Sequence, residues 1–100
     1  MLEKEVESKL KKPIERLGGL CLKFVTPGFT GVPDRIILLP GAHIVFVETK
    51  APGKKERPRQ NYVQDILRRL GFRVYSTVDS AAKVAAIVED CRRLVYGNSQ

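Results

Sequence analysis

The 100 residues predict a mixed α/β domain in the order αβββαβα, and three features carry that prediction. Apolar residues recur at helical spacing near both ends of the chain. Between them, three short runs rich in β-branched and apolar residues follow one another with no helical segment in between. A helical segment long enough for a parallel crossover then separates the third run from a fourth.

Val6, Leu10, Ile14 and Leu17 form the apolar stripe of a helix over about residues 2–17, closed by Gly18-Gly19. Pro13 removes one hydrogen bond inside it, so a bend or a break into two segments is expected. Leu20, Leu22 and Phe24 alternate with Cys21, Lys23 and Val25 as a first strand, followed by a Gly/Pro-rich loop from Pro27 to Pro33. Residues 35–39 and 44–50 read as a hairpin turning through Pro40-Gly41-Ala42-His43.

Residues 51–58, with two prolines and a glycine, cannot continue a central strand. They lead into a helix over about residues 59–70, with Val63, Ile66, Leu67 and Leu70 on one face and Gly71 as its stop. Residues 72–78 form a fourth strand, and Asp79 or Ser80 caps a last helix whose Val84, Ile87, Val88, Cys91 and Val95 face inward. Those apolar positions suit the core or a dimer face equally. The economical assembly is one sheet with helices on both faces and a right-handed crossover, in a single domain over residues 1–96 with a flexible tail at 97–100.

Composition narrows the function classes. Hydrophobic residues make up 43% of the chain, which suits a packed globule rather than a disordered segment. No apolar run approaches the roughly 20 residues of a membrane span, and the N-terminal stretch has no apolar core of a signal peptide. The expectation is a soluble, cytoplasmic protein that is not exported and has no membrane partner. Two cysteines and one histidine make neither a disulfide framework nor a thiolate or imidazole metal site. Any metal must be held by oxygen.

The chain carries 18 Lys plus Arg against 11 Asp plus Glu, a formal net charge of +7. Lys50, Lys54, Lys55, Arg57 and Arg59 against Glu56 leave +4 within residues 50–60. Such a clustered loop suits a polyphosphate partner, because each neutralised phosphate releases counterions.

The chemistry-bearing feature is a pair of ionisable residues inside apolar strand sequence. Along residues 44–50, a period of two puts Phe46, Glu48 and Lys50 on one face and Val47 and Thr49 on the other. If the turn occupies Pro40 to Ala42, Asp34 lies opposite residue 48, and a shift by two would place it opposite residue 50. Either register brings Asp34 and Glu48 together at the hairpin end away from the turn. Two carboxylates there suit a hard divalent cation, with the Thr49 carbonyl as a third oxygen. Lys50, on the same face, can stabilise charge developing on a phosphate or position an attacking water. The plain alternative is a structural Glu48–Lys50 or Asp34–Lys50 ion pair at a sheet end.

Gly31-Val32-Pro33-Asp34 followed by Val47-Glu48-Thr49-Lys50 resembles the PD…(D/E)xK signature of the restriction-endonuclease-like nuclease superfamily, whose core is αβββαβ. More specifically, residues 3–78 resemble the small stand-alone virus-type replication-repair nuclease (VRR-NUC) domains of phage and bacteria. Gly18-Gly19, Lys23-Phe24, Pro27-Gly28, GVPDRIILLPG, FVETKAPGKKERPRQ and LGFRVYSTVD stand in the family's order.

The resemblance implies a metal-dependent endonuclease that hydrolyses phosphodiester bonds of DNA with Mg²⁺ or Mn²⁺. It implies Asp34 and Glu48 as metal ligands with the Thr49 backbone carbonyl, Lys50 as the catalytic lysine, and Gln60 as a supporting site residue. It also implies a glutamate from the first helix. Glu5 points away from the apolar stripe, whereas Glu3 and Glu7 lie on or beside it, and the spacing of Glu7 to Gly18 resembles that of junction-resolving relatives. Lys11, Lys12, Lys23, Arg35, Lys54, Lys55, Arg57 and Arg59 are the expected DNA contacts, reading no sequence. Stand-alone members of the family resemble Holliday junction resolvases in being dimeric, so resolution of four-way junctions by a homodimer is expected, two copies supplying the two paired cuts. A monomeric flap nuclease would share every catalytic residue, and a non-catalytic branched-DNA-binding module would not need Asp34, Glu48 and Lys50 together.

Overall fold

The computed structural model describes residues 3–97. Its elements are α1 (Glu3–Arg16), β1 (Leu20–Lys23), β2 (Arg35–Leu39), β3 (His43–Thr49), α2 (Pro58–Arg69), β4 (Arg73–Val78) and α3 (Ala81–Tyr96), in the expected αβββαβα order. The strands form one sheet in the order β1-β2-β3-β4. β1, β2 and β3 pair antiparallel, and α2 is the crossover that makes β4 parallel to β3. Beyond Gly97, the expected tail lies outside the described residues.

Val6, Leu10 and Ile14 of α1 are fully buried, and with Val84, Ile87 and Cys91 of α3 they cover Cys21, Ile37, Leu39, Val45 and Val47 on one sheet face. The apolar side of α3 therefore belongs to the core. Burying each such side chain stabilises by about 1.5–3 kcal/mol before entropy is counted. That burial explains why α1 is continuous through Pro13: the stripe is anchored on both sides of the proline, and the carbonyl it leaves unpaired belongs to the exposed Lys9. Of the bend or break expected at Pro13, the break is not made.

The two residues after α1 differ in task. Gly18 and Gly19 donate to the carbonyls of Glu15 and Ile14, both at 3.0 Å, closing the helix with Gly18 at φ +85°. A Cβ on Gly19 would meet the Leu38 carbonyl oxygen at 2.5 Å, so α1 turns directly onto β2 only without a side chain there. β1 ends at Lys23, two residues earlier than its alternation suggests, although the Phe24 N–H still reaches the Asp34 carbonyl at 2.8 Å.

The opposite sheet face carries an aromatic run, Phe24–Phe46–Phe72, with successive ring centroids 5.5 Å apart. Cys21 and Cys91 are free and buried, and burial pushes both thiols up to about 11. Among the described residues no helix is long and apolar enough to cross a membrane.

Candidate active site

The hairpin register sets the site. Leu39 pairs with His43 and Arg35 with Val47, so the ladder runs on to bring Asp34 beside Glu48 rather than residue 50. The Asp34 N–H donates to Glu48 Oε1 at 3.0 Å. In return, Asp34 accepts from the Thr49 N–H at 2.9 Å and from the Thr49 hydroxyl. Each strand end thus fixes the carboxylate of the other.

Glu48 is only 5% exposed, a costly place for a charge. Besides the Asp34 N–H, two side chains meet it. Gln60 Nε2 donates to Oε2 at 3.0 Å, and Lys50 Nζ lies 3.2 Å from the same oxygen. Lys50 Nζ also donates to Gln60 Oε1 at 3.1 Å, which closes a three-membered ring of side chains. Burial and then the neighbouring Asp34 charge still push Glu48 above the ordinary carboxylate range, against the opposing pull of Lys50.

Gln60 reaches this ring from the first turn of α2. Its Oε1 accepts the Arg57 N–H at 2.8 Å, as an N3 side chain does when it folds back over a helix start. One amide therefore caps the helix and braces the site. Helical periodicity alone would leave it an ordinary polar residue.

Glu7 joins a different contact. Its Oε2 accepts from the Arg35 guanidinium at 2.7 Å, and Arg35 Nε lies 3.9 Å from Asp34 Oδ2. Among the described residues no third Asp, Glu, His or Cys joins Asp34 and Glu48, so Glu7 reaches them only through Arg35. The side chain of Glu3 lies outside the described residues. Arg35, expected as a DNA contact, is instead buried at 9% exposure, with Glu7 as its partner. One terminal nitrogen of its guanidinium is taken by Glu7, and Nε is buried without a hydrogen-bond partner. Lys11, Lys12, Lys23, Lys54, Lys55, Arg57 and Arg59 are all exposed.

Glu56 is a part of the site region that no motif singles out. Between the pairs Val47/Tyr75 and Thr49/Val78, β4 takes one more residue than β3, and Thr77 there has φ +51°. Glu56 accepts from both the N–H and the hydroxyl of Thr77, tying the basic loop to this bulge. The signal available in the sequence is modest: a single acid among five cations. Gln64, one turn after Gln60 on α2, is buried.

Asp34, Glu48 and Thr49 offer only oxygen donors, the set that suits a hard divalent cation. No family model matches the chain. Over 72 residues, 72% of the chain, it is 44% identical to 77% of the protein titled "Putative nuclease p44" of Acyrthosiphon pisum secondary endosymbiont phage 1. A solved structure described as a VRR_NUC domain superposes with a TM-score of 0.78 at 33% identity, covering 87% of this chain and 94% of the other. With that restriction-endonuclease-like fold and those two relatives, the chain belongs to the VRR-NUC family of nucleases.

Proposed function

We propose that this nuclease is a divalent-cation-dependent, structure-specific DNA endonuclease that cuts four-way junctions as a homodimer. The observation that carries the reading is the meeting of Asp34 and Glu48 at one strand end, with Lys50 3.2 Å from Glu48 and cations on the following loop. Asp34, Glu48 and the Thr49 carbonyl would hold Mg²⁺ or Mn²⁺, and the raised Glu48 is the group whose charge such an ion favours. When bound, the ion supplies Lewis-acid polarisation of the scissile phosphate and lowers the pKa of an attacking water.

The protein's own residues do the rest. Gln60 holds Lys50 and Glu48 in one arrangement, so neither spends binding energy on reorganising. Lys50 donates to a non-bridging phosphate oxygen and stabilises the charge that builds there. Lys54, Lys55 and Arg57, with Lys11, Lys12 and Lys23, contact backbone phosphates and orient the duplex without reading bases. Glu7 acts through Arg35 on the position of Asp34.

The dimer reading has its own support. The side of α3 that could have formed an interface is used in the core, whereas Leu20 and Leu22 on the edge strand β1 and Val25 just beyond it are 50%, 43% and 69% exposed. A second copy covering them would pair two sites.

The test is incubation of the purified protein with labelled four-way junction, flap and linear duplex in Mg²⁺, Mn²⁺ or EDTA. Symmetric, metal-dependent cuts in the junction, lost in Asp34→Ala and Lys50→Ala, are expected. Cleavage that survives either substitution, or that proceeds in EDTA, rejects the mechanism. Preferential flap cutting by a monomer rejects the junction assignment, and junction binding without cleavage of any substrate rejects the enzyme.

A further inference from the structure

Two exposed aromatic rings and one arginine form a cluster that the hydrolytic machinery does not use. The Arg59 guanidinium lies 4.8 Å from the centroid of Phe29 and 5.4 Å from that of Tyr62. Phe29 remains 46% exposed and Tyr62 54% exposed, so both rings keep surface open to solvent while Arg59 holds their position. Exposed aromatics are costly to leave uncovered, and a pair fixed by one cation suits a planar ligand.

The cluster is built rather than incidental. Arg59 Nε donates to the Thr30 carbonyl at 3.1 Å, and Thr26 Oγ1 donates to the Phe29 carbonyl at 2.7 Å. A Cβ on Gly31 would lie 2.9 Å from Arg59 Cγ and 3.1 Å from Val63 Cγ2. The loop carrying Phe29 is therefore seated directly on the first turn of α2. Arg59 is also the residue before Gln60, whose amide touches Glu48 and Lys50.

We propose that Phe29 and Tyr62, held by Arg59, form a stacking platform for one unpaired nucleobase at the branch point of a DNA substrate. The proposal rests on the DNA endonuclease reading above and adds what selects the substrate. In an intact duplex every base is already stacked on its neighbours, so the rings find no partner. At a branch or a frayed end a base can leave the stack, and a ring face then accepts it whatever its sequence. The guanidinium, with Nε committed to Thr30, keeps its terminal nitrogens for the adjoining phosphate.

The test measures equilibrium binding in EDTA, where cleavage is off, to a four-way junction with natural bases and to the same junction with abasic nucleotides at the branch point. Wild-type protein is expected to bind the natural junction about tenfold more tightly than the abasic one. A Phe29→Ala/Tyr62→Ala double variant should bind both with the affinity wild type shows for the abasic junction. Tyr62→Phe, which keeps the ring, should behave as wild type. 2-Aminopurine at the branch point should be quenched by wild type and Tyr62→Phe but not by the double variant.

Equal wild-type affinity for the two junctions overturns the platform while leaving the nuclease reading intact. So does a double variant that still discriminates between them. If wild type neither binds nor cuts DNA, both readings fall together.

Discussion

Gln60 and Glu48 are joined by a single hydrogen bond, 3.0 Å from Nε2 to Oε2, and the other end of the same amide holds Lys50. Replacing Gln60 by Ala leaves a buried carboxylate with one donor fewer and frees the lysine to move. Supporting residues of this kind are worth about 10- to 100-fold in metal affinity or activity. Gln60→Ala should lower the cleavage rate by that factor and raise the Mn²⁺ concentration needed for half-maximal rate. A rate profile indistinguishable from wild type across a Mn²⁺ titration contradicts the bracing role.

The raised Glu48 predicts a pH dependence with a definite sign. A carboxyl group whose folded value lies above its unfolded one favours the folded state when protonated. That contribution is present below the unfolded value and is lost as pH rises through the folded one. A cation held by Glu48 and Asp34 acts in the opposite direction, because it binds the charged form and displaces a proton. Mg²⁺ should therefore raise the melting temperature more at neutral pH than near pH 5, and the difference should vanish in Glu48→Gln. A Mg²⁺ effect independent of pH would exclude Glu48 as the group that takes the ion.

How much of this the sequence reveals depends on whether the signal is local. A period of two places Glu48 and Lys50 on one face, and either register of the hairpin brings Asp34 to that strand end. The meeting of the two carboxylates is thus legible from residues 34–50, while the choice of residue 48 over 50 is made by the observed register. Pro13 argues for a bend or a break, and tertiary packing keeps the helix unbroken because Val6, Leu10 and Ile14 are all buried in one core. Arg35 reads as one more surface cation although the period of two puts it on the buried face of Ile37 and Leu39, and no local pattern reveals its partner Glu7, 28 residues away in sequence. The Glu56–Thr77 clasp is illegible for the same reason, since its partners are 21 residues apart and obey no period.

That clasp makes a stability prediction. Thr77 at φ +51° is in a conformation that residues with a Cβ adopt rarely, and Glu56 satisfies both its N–H and its hydroxyl. Glu56→Ala should destabilise by about 1–3 kcal/mol, through the N–H left without its partner. For a domain of this size each kcal/mol shifts the melting temperature by about 4–8 °C. Burial pushes Glu56 up, but the Thr77 hydrogen bonds, with Lys50 adding its charge, outweigh it and hold the group below its ordinary value. Its contribution is thus present above the unfolded value and lost as pH falls through the folded one. Wild type and Glu56→Gln should converge in melting temperature as the pH is lowered. Parallel curves across that range would show that the charge of Glu56 contributes nothing.

Arg35 and Glu7 set the last prediction, because one is buried and the other is not: the side chains are 11% and 41% exposed. Removing Glu7 strands a guanidinium in the core edge, whereas removing Arg35 leaves Glu7 free to turn to water. Glu7→Ala should therefore cost more stability than Arg35→Met, by about 1–2 kcal/mol, and the double substitution should recover most of the loss. The same series separates two roles for Glu7. If it acts only by neutralising Arg35, the Glu7→Ala/Arg35→Met protein regains cleavage along with stability. If it regains stability but not cleavage, Glu7 touches the substrate or the cation directly, and its place beside Arg35 is a resting position.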